Sequence, residues 1–125
     1  MIVVLVGVGG AIGAMLRYIV GTVVQAGAGP GFPWGTLAVN VVGCLCAGVA
    51  SALADRRGDL TPEIRALLVV GVLGGFTTFS AFANETAHAA RTGATAMAVL
   101  NVLANVGLCL AAVWGGRGLV AWWGR

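Results

Sequence analysis

The sequence holds no lysine, four acidic residues, one histidine, one tyrosine and three prolines among 125 residues. A soluble domain of this length carries about a quarter charged residues, or roughly thirty. Here eleven residues are charged, and every basic one is arginine. Small domains keep much of their surface wet, so 59% hydrophobic content cannot be hidden inside a soluble fold of this size. The arginines are scattered, which leaves no basic patch for nucleic acid. No paired carboxylates, Ser-His-Asp arrangement or metal triad stands out among the few acids and the single histidine. Cys44, Cys46 and Cys109 lie in apolar runs with no zinc-ligand spacing, and read as small packing residues. The first ten residues carry no basic segment of the kind that opens a cleaved signal peptide.

What is present is apolar sequence in lengths that cross a bilayer, which takes about 20 residues per helix. Four spans are expected, roughly 2–24, 34–54, 62–90 and 94–115, forming one all-α transmembrane domain. Gln25 to Pro33 reads as a turn-rich connection. The cluster DRRGDLTPE reads as a solvated loop, with Thr61 as N-cap, Pro62 at the first helical position and Glu63 in the first turn. Trp122 and Trp123 read as part of a short interfacial tail. Arg56, Arg57, Arg65, Arg117 and Arg125 fall on one side and Arg91 on the other, with Arg17 near that far end. This bias predicts both termini in the cytoplasm. Gly9-x-x-x-Gly13, Gly43-x-x-x-Ala47 and Gly71-x-x-x-Gly75 predict close helix packing in lipid.

Polar residues inside a membrane are expensive and point to function. Arg17 stands in the first span with no acid beside it: a snorkelling side chain or a fixed positive charge. Asn40 lies mid-span among valines: an interhelical hydrogen bond or an amide donor on a path. In the third span, Gly74-Gly75-Phe76-Thr77-Thr78 joins poor helix formers at membrane depth, which predicts a broken helix whose carbonyls need partners. Thr77, Ser80, Asn84 and His88 follow helical spacing as one polar stripe, with Glu85 beside it. Asn101 and Asn105 stand one turn apart in the fourth span, either bonding to another helix or facing the same polar track. Amide and hydroxyl donors outnumber acids, and phenylalanine edges are weakly positive. This inventory suits a small anion that is losing its water.

Three motifs then resemble the Fluc/CrcB fluoride channels. They are Gly9-Gly10-x-x-Gly13-Ala14-x-x-Arg17-Tyr18, Gly35-Thr36-Leu37-x-Val39-Asn40-x-x-Gly43, and Gly74-Gly75-Phe76-Thr77-Thr78-Phe79-Ser80-x-Phe82-x-x-Glu85. They occur in the family's order and cover essentially the whole chain. The resemblance implies an antiparallel, dual-topology dimer in the cell membrane with two fluoride pathways at its interface. Phe79 and Phe82 match the phenylalanines whose ring edges contact fluoride. Asn40 matches the donating asparagine, Ser80 and Glu85 the polar track, and Arg17 an arginine of the vestibule. Gly74 and Thr77 match the residues whose carbonyls, two from each subunit, hold a structural sodium ion. The family often has tyrosine and serine where Asn101 and Asn105 fall, so the track there is expected to be amide-lined. The charge bias is stronger than a subunit inserting both ways should show, which raises pairing with an oppositely biased homologue as the alternative to a homodimer. Two other readings compete. A small dual-topology multidrug exporter needs a carboxylate in its first span, and this chain has none. A non-transporting scaffold subunit would have no need of the Phe79, Phe82 and Asn40 set.

Overall fold

A computed structural model of the protein describes residues 1–57 and 61–123. Asp59 in the middle loop, Arg125 at the end and the side chain of Arg57 lie outside the described residues. The chain is all-helical, with four segments long and apolar enough to cross a membrane. It has the build of a multi-pass membrane protein.

The first helix, α1, spans Ile2–Ala28 and the second, α2, spans Trp34–Arg57. Helix α1 runs on to Ala28, so Gln25 belongs to the helix rather than to the connection. It stops at Gly29, whose φ of 85° suits a residue without a Cβ. Gln25 then ties the connection down. Its Nε2 donates to the carbonyls of Gly29 at 2.6 Å and Phe32 at 3.0 Å, and its Oε1 accepts from Gly35 N at 3.1 Å.

The third span is built from several pieces. It opens with α3, Pro62–Ile64, where the Thr61 hydroxyl accepts from Ile64 N and Glu63 occupies the first turn. It continues as a π-helix over Arg65–Leu73 and returns to one turn of α4, Gly74–Phe76. Thr77 and Thr78 are extended, and α5 restarts at Phe79 and ends at Arg91. Helix α6 covers Thr95–Trp123. Arg117, Trp122 and Trp123 therefore lie on its last turns, where the sequence reading put a tail beyond Gly115.

The elements pack as two parallel pairs. Helix α1 lies along the first half of the third span, and α2 lies along α6. The first pair meets through the expected glycines. A methyl group at Gly9 would strike the Leu67 carbonyl oxygen, and one at Gly13 would strike the Val72 carbonyl oxygen. Gly71 faces Gly9, and Gly75 faces Gly10. In lipid there is no hydrophobic force between apolar helices, so such close backbone approach supplies the attraction. The second pair uses different glycines from those expected. Gly48 rests on Val113 and Gly116 on Leu45, while Gly43 faces the Thr77 side chain.

Candidate functional site

The break is the point where the two pairs meet. Leu73 and Gly74 still have helical dihedrals, so the paired glycines do not form the break themselves. The interruption falls on Thr77 (ψ 156°) and Thr78 (φ −147°, ψ 103°). Thr77 still closes the first half: its N and Oγ1 both donate to the Leu73 carbonyl, at 3.0 and 3.1 Å. Thr78 opens the second half, its hydroxyl accepting from Ala81 N at 3.2 Å as an N-cap.

Asn40 of α2 replaces the missing helical bonds. Its Oδ1 accepts from Thr78 N at 2.8 Å, and its Nδ2 donates to the Thr78 carbonyl at 3.2 Å. A backbone group buried without a partner costs about 1–3 kcal/mol, so this two-sided contact is what lets an extended residue sit at membrane depth. The same Nδ2 donates to Asn105 Oδ1 at 3.0 Å. Asn105 Nδ2 donates to Asn101 Oδ1 at 2.8 Å, and Asn101 Nδ2 to Thr86 Oγ1 at 2.9 Å. The Thr86 hydroxyl donates to the Phe82 carbonyl at 2.8 Å. All three asparagines are buried. Asn101 and Asn105 thus bond to neighbouring helices, which is one of the two roles left open by their spacing.

Two cavities flank the break. One, about 710 Å³, is an open groove lined by Arg17, Thr22, Gln25, Thr36, Thr78 and Glu85 among others. Arg17 Nη1 reaches the Thr77 carbonyl at a long 3.5 Å, so this arginine turns toward the break. Glu85 Oε1 accepts from the Thr36 hydroxyl at 2.6 Å, while its other oxygen is buried with no partner among the described residues. The other cavity, about 340 Å³, is lined by Asn40, Thr77, Phe79, Phe82 and Asn105 together with Cys44, Val106, Cys109 and Leu110. The Phe79 and Phe82 rings meet edge to face, centroids 5.2 Å apart. Phe82 is buried, whereas Phe79 is 77% exposed on the single chain.

The structure therefore gathers Asn40, Thr77, Phe79, Phe82 and Asn105 on one side of the break and Arg17 and Glu85 on the other, while Asn101 lines a separate pocket with Gln25, Glu85 and His88. Ser80 contacts the Thr78 hydroxyl at 3.3 Å but is exposed, as are Asn84 and His88 of the same expected stripe. Sequence reasoning missed Thr86 and the tethering role of Gln25. Thr86 stands one turn after Phe82 and two after Thr78, on the face that α6 covers, and that spacing was the available signal.

Comparison with known proteins places these features in a lineage. A family model described as "CrcB-like protein, Camphor Resistance (CrcB)" matches residues 4–117. A protein of Rhizobium etli (strain CFN 42) named "Fluoride-specific ion channel FluC" is 48% identical over 93% of each chain. One of the same name from Rhizobium leguminosarum bv. trifolii (strain WSM2304) is 51% identical over 90% of each. A third, from Shewanella halifaxensis (strain HAW-EB4), is 46% identical over 94% of each. With a match across nearly its full length and relatives this similar, the chain belongs to the CrcB family.

Proposed function

We propose that this chain forms a fluoride-selective channel through which fluoride leaves the cell passively. The observation that carries the reading is the edge-to-face pair of Phe79 and Phe82 beside the Asn40 amide, at a broken helix. Ring edges carry partial positive charge and an amide offers N–H donors, so this wall can replace the water of a small anion without attracting a cation. Relatives that are 46–51% identical and named as fluoride-specific channels support the same choice of ion. A negative cell interior drives the anion outward by about 2.3 kcal/mol per 100 mV, so neither a nucleotide site nor a catalytic group is required.

Arg17 would draw anions into the open groove, with Glu85 and Ser80 along the second half of the broken helix. The exposure of Phe79 supports a second copy of the chain, or a homologous subunit, covering that face as an antiparallel dimer in the cell membrane. The arginines at one end favour cytoplasmic termini for a subunit inserted in the preferred sense.

A structural sodium ion fits the break. Because Thr78 N is taken by Asn40, the Gly74 carbonyl loses its usual helical donor. Among the described residues, the Thr77 carbonyl has only the distant Arg17 contact. Uncharged carbonyl oxygens suit a hard monovalent cation. Gly74 and Thr77 would hold it together with the same pair from the partner subunit, and the ion would fix the two breaks against each other.

The test is fluoride efflux from potassium-loaded liposomes after addition of a potassium ionophore, with chloride run in parallel. Fluoride should leave and chloride should stay. Retention of both ions, even after co-reconstitution with a homologous subunit, would overturn the reading.

A further inference from the structure

Every hydrogen-bonding group of Asn40 is already engaged in the single chain. Its oxygen accepts from Thr78 N, one amide hydrogen goes to the Thr78 carbonyl, and the other goes to Asn105 Oδ1. An anion in the adjoining cavity can gain a donor from Asn40 only by taking a hydrogen from one of these acceptors. The Thr78 contact closes the helix break. The Asn105 contact is therefore the one that can be given up.

We infer that Asn105, held by Asn101 and Thr86, is a positioning residue that keeps the Asn40 amide aimed for the anion and acts as its temporary acceptor. This role rests on the fluoride-channel reading.

The hydrogen bonds of the relay all run one way. From Asn40 to Asn105, Asn101, Thr86 and the Phe82 carbonyl, each side chain donates to the next. Thr86 commits its single hydroxyl hydrogen to Phe82, so toward Asn101 it only accepts. This fixes the Asn101 amide with its nitrogen toward Thr86 and its oxygen toward Asn105. Asn105 must then present its nitrogen to Asn101 and its oxygen to Asn40. A flipped Asn40 would set two oxygens against each other at this contact and would lose both Thr78 bonds. Asn101 is 1% exposed and Asn105 4%, so water cannot repair a broken link. Neither residue needs to touch the ion for its loss to be felt. The relay also ends on the carbonyl of Phe82, so the amide and the aromatic wall are set by one chain of contacts.

A double-mutant cycle in liposomes tests this, using Asn105→Leu, Thr86→Val and the pair together. Each protein is checked for elution at the wild-type size, and fluoride flux is measured against fluoride concentration. Asn105→Leu should slow flux at least tenfold at low fluoride, and Thr86→Val about fivefold, the order of one hydrogen bond. Both should raise the half-saturating fluoride concentration, which a mere loss of folded protein would leave unchanged. The double variant should match Asn105→Leu within twofold, because Thr86 acts only through the relay. A double variant slowed by the product of the two single effects would overturn the inference, as would an Asn105→Leu protein that conducts normally. Should Asn105→Leu aggregate, Asn105→Ala, which likewise offers no acceptor, takes its place in the cycle under the same criteria. Wild-type protein that passes no fluoride would instead refute the channel reading.

Discussion

The two helix pairs of this protein solve one problem by opposite means. Along α1 and the first half of the third span, side chains are removed: Gly9, Gly13, Gly71 and Gly75 let backbones touch. Along α2, α5 and α6, side chains are added that bond to one another: Asn40, Asn105, Asn101 and Thr86. Lipid withdraws the hydrophobic force from both seams, leaving close packing for one and hydrogen bonds for the other. Close packing resists change in size, whereas an amide seam resists change in chemistry. The break at Thr77 and Thr78 lies where the seams join, so the glycine seam sets where the first half stops and the amide seam sets where the second half begins.

The largest effect should follow from Gly13→Ala. The added methyl meets the carbonyl oxygen of Val72, and backbone cannot swing aside as a side chain can. The expected cost is about 3 kcal/mol or more, seen as loss of monodisperse protein in detergent. Gly118→Ala places the same methyl in open space and should be recovered at the wild-type yield. Equal behaviour of the two variants would break the claim that the first seam rests on close approach.

Asn40→Leu comes next. Leucine fills the volume but leaves Thr78 N–H and C=O without partners, at about 1–3 kcal/mol for each buried group. The expected result is a lower melting temperature and at least a tenfold loss of fluoride flux in liposomes. A variant that melts like the wild type would mean that the amide seam does not hold the break.

Gly43→Ala probes the junction itself. Its methyl would meet the Thr77 side-chain methyl, which can rotate away only by giving up its hydroxyl bond to the Leu73 carbonyl at 3.1 Å. The stability cost should be about 1 kcal/mol. The flux loss should be proportionally larger than for any change confined to one seam, since Thr77 lines the cavity beside Phe79. Flux that falls only in step with stability would separate the junction from the conduction path.

Much of this contrast was legible in the residues. Gly9, Gly13, Gly71 and Gly75 announced the first seam by their spacing, and Asn40, Asn101 and Asn105 were conspicuous because amides are costly in lipid. The location of the break was legible only to within a few residues. Low helix propensity marked Gly74 and Gly75, yet both stay helical, with Gly75 packed against Gly10 of α1. The break moved to Thr77 and Thr78 because an asparagine some forty positions earlier takes over the backbone bonds of Thr78. Tertiary contacts overrode local preference there, and no window of sequence holds both partners. The π-helix over Arg65–Leu73 left no mark in the residue pattern. Thr86 was passed over because a threonine in a helix so often bonds to its own backbone; this one does so and also accepts from Asn101.

The smallest effect should come from an exposed polar contact between side chains. Arg117 Nη2 donates to Asp55 Oδ2 at 2.7 Å, joining α2 and α6 near their C-terminal ends. Its length is that of a strong charge-assisted bond, but the two side chains are 41% and 63% exposed on the single chain. Water solvates each charge well when the pair is absent, so a double-mutant cycle of Asp55→Asn and Arg117→Gln should give a coupling below about 1 kcal/mol. Added salt should shrink it further, since the screening length falls to about 3 Å near 1 M. Geometry alone would rank this contact with the buried amide bonds of Asn40, which are no shorter. Burial separates them, because only in the amide seam does a lost partner leave a group that nothing else can satisfy. A coupling of several kcal/mol that survives salt would mean that this end of the molecule is shielded from water by something beyond the single chain, and the contrast between the buried and the exposed polar contacts would then have to be redrawn.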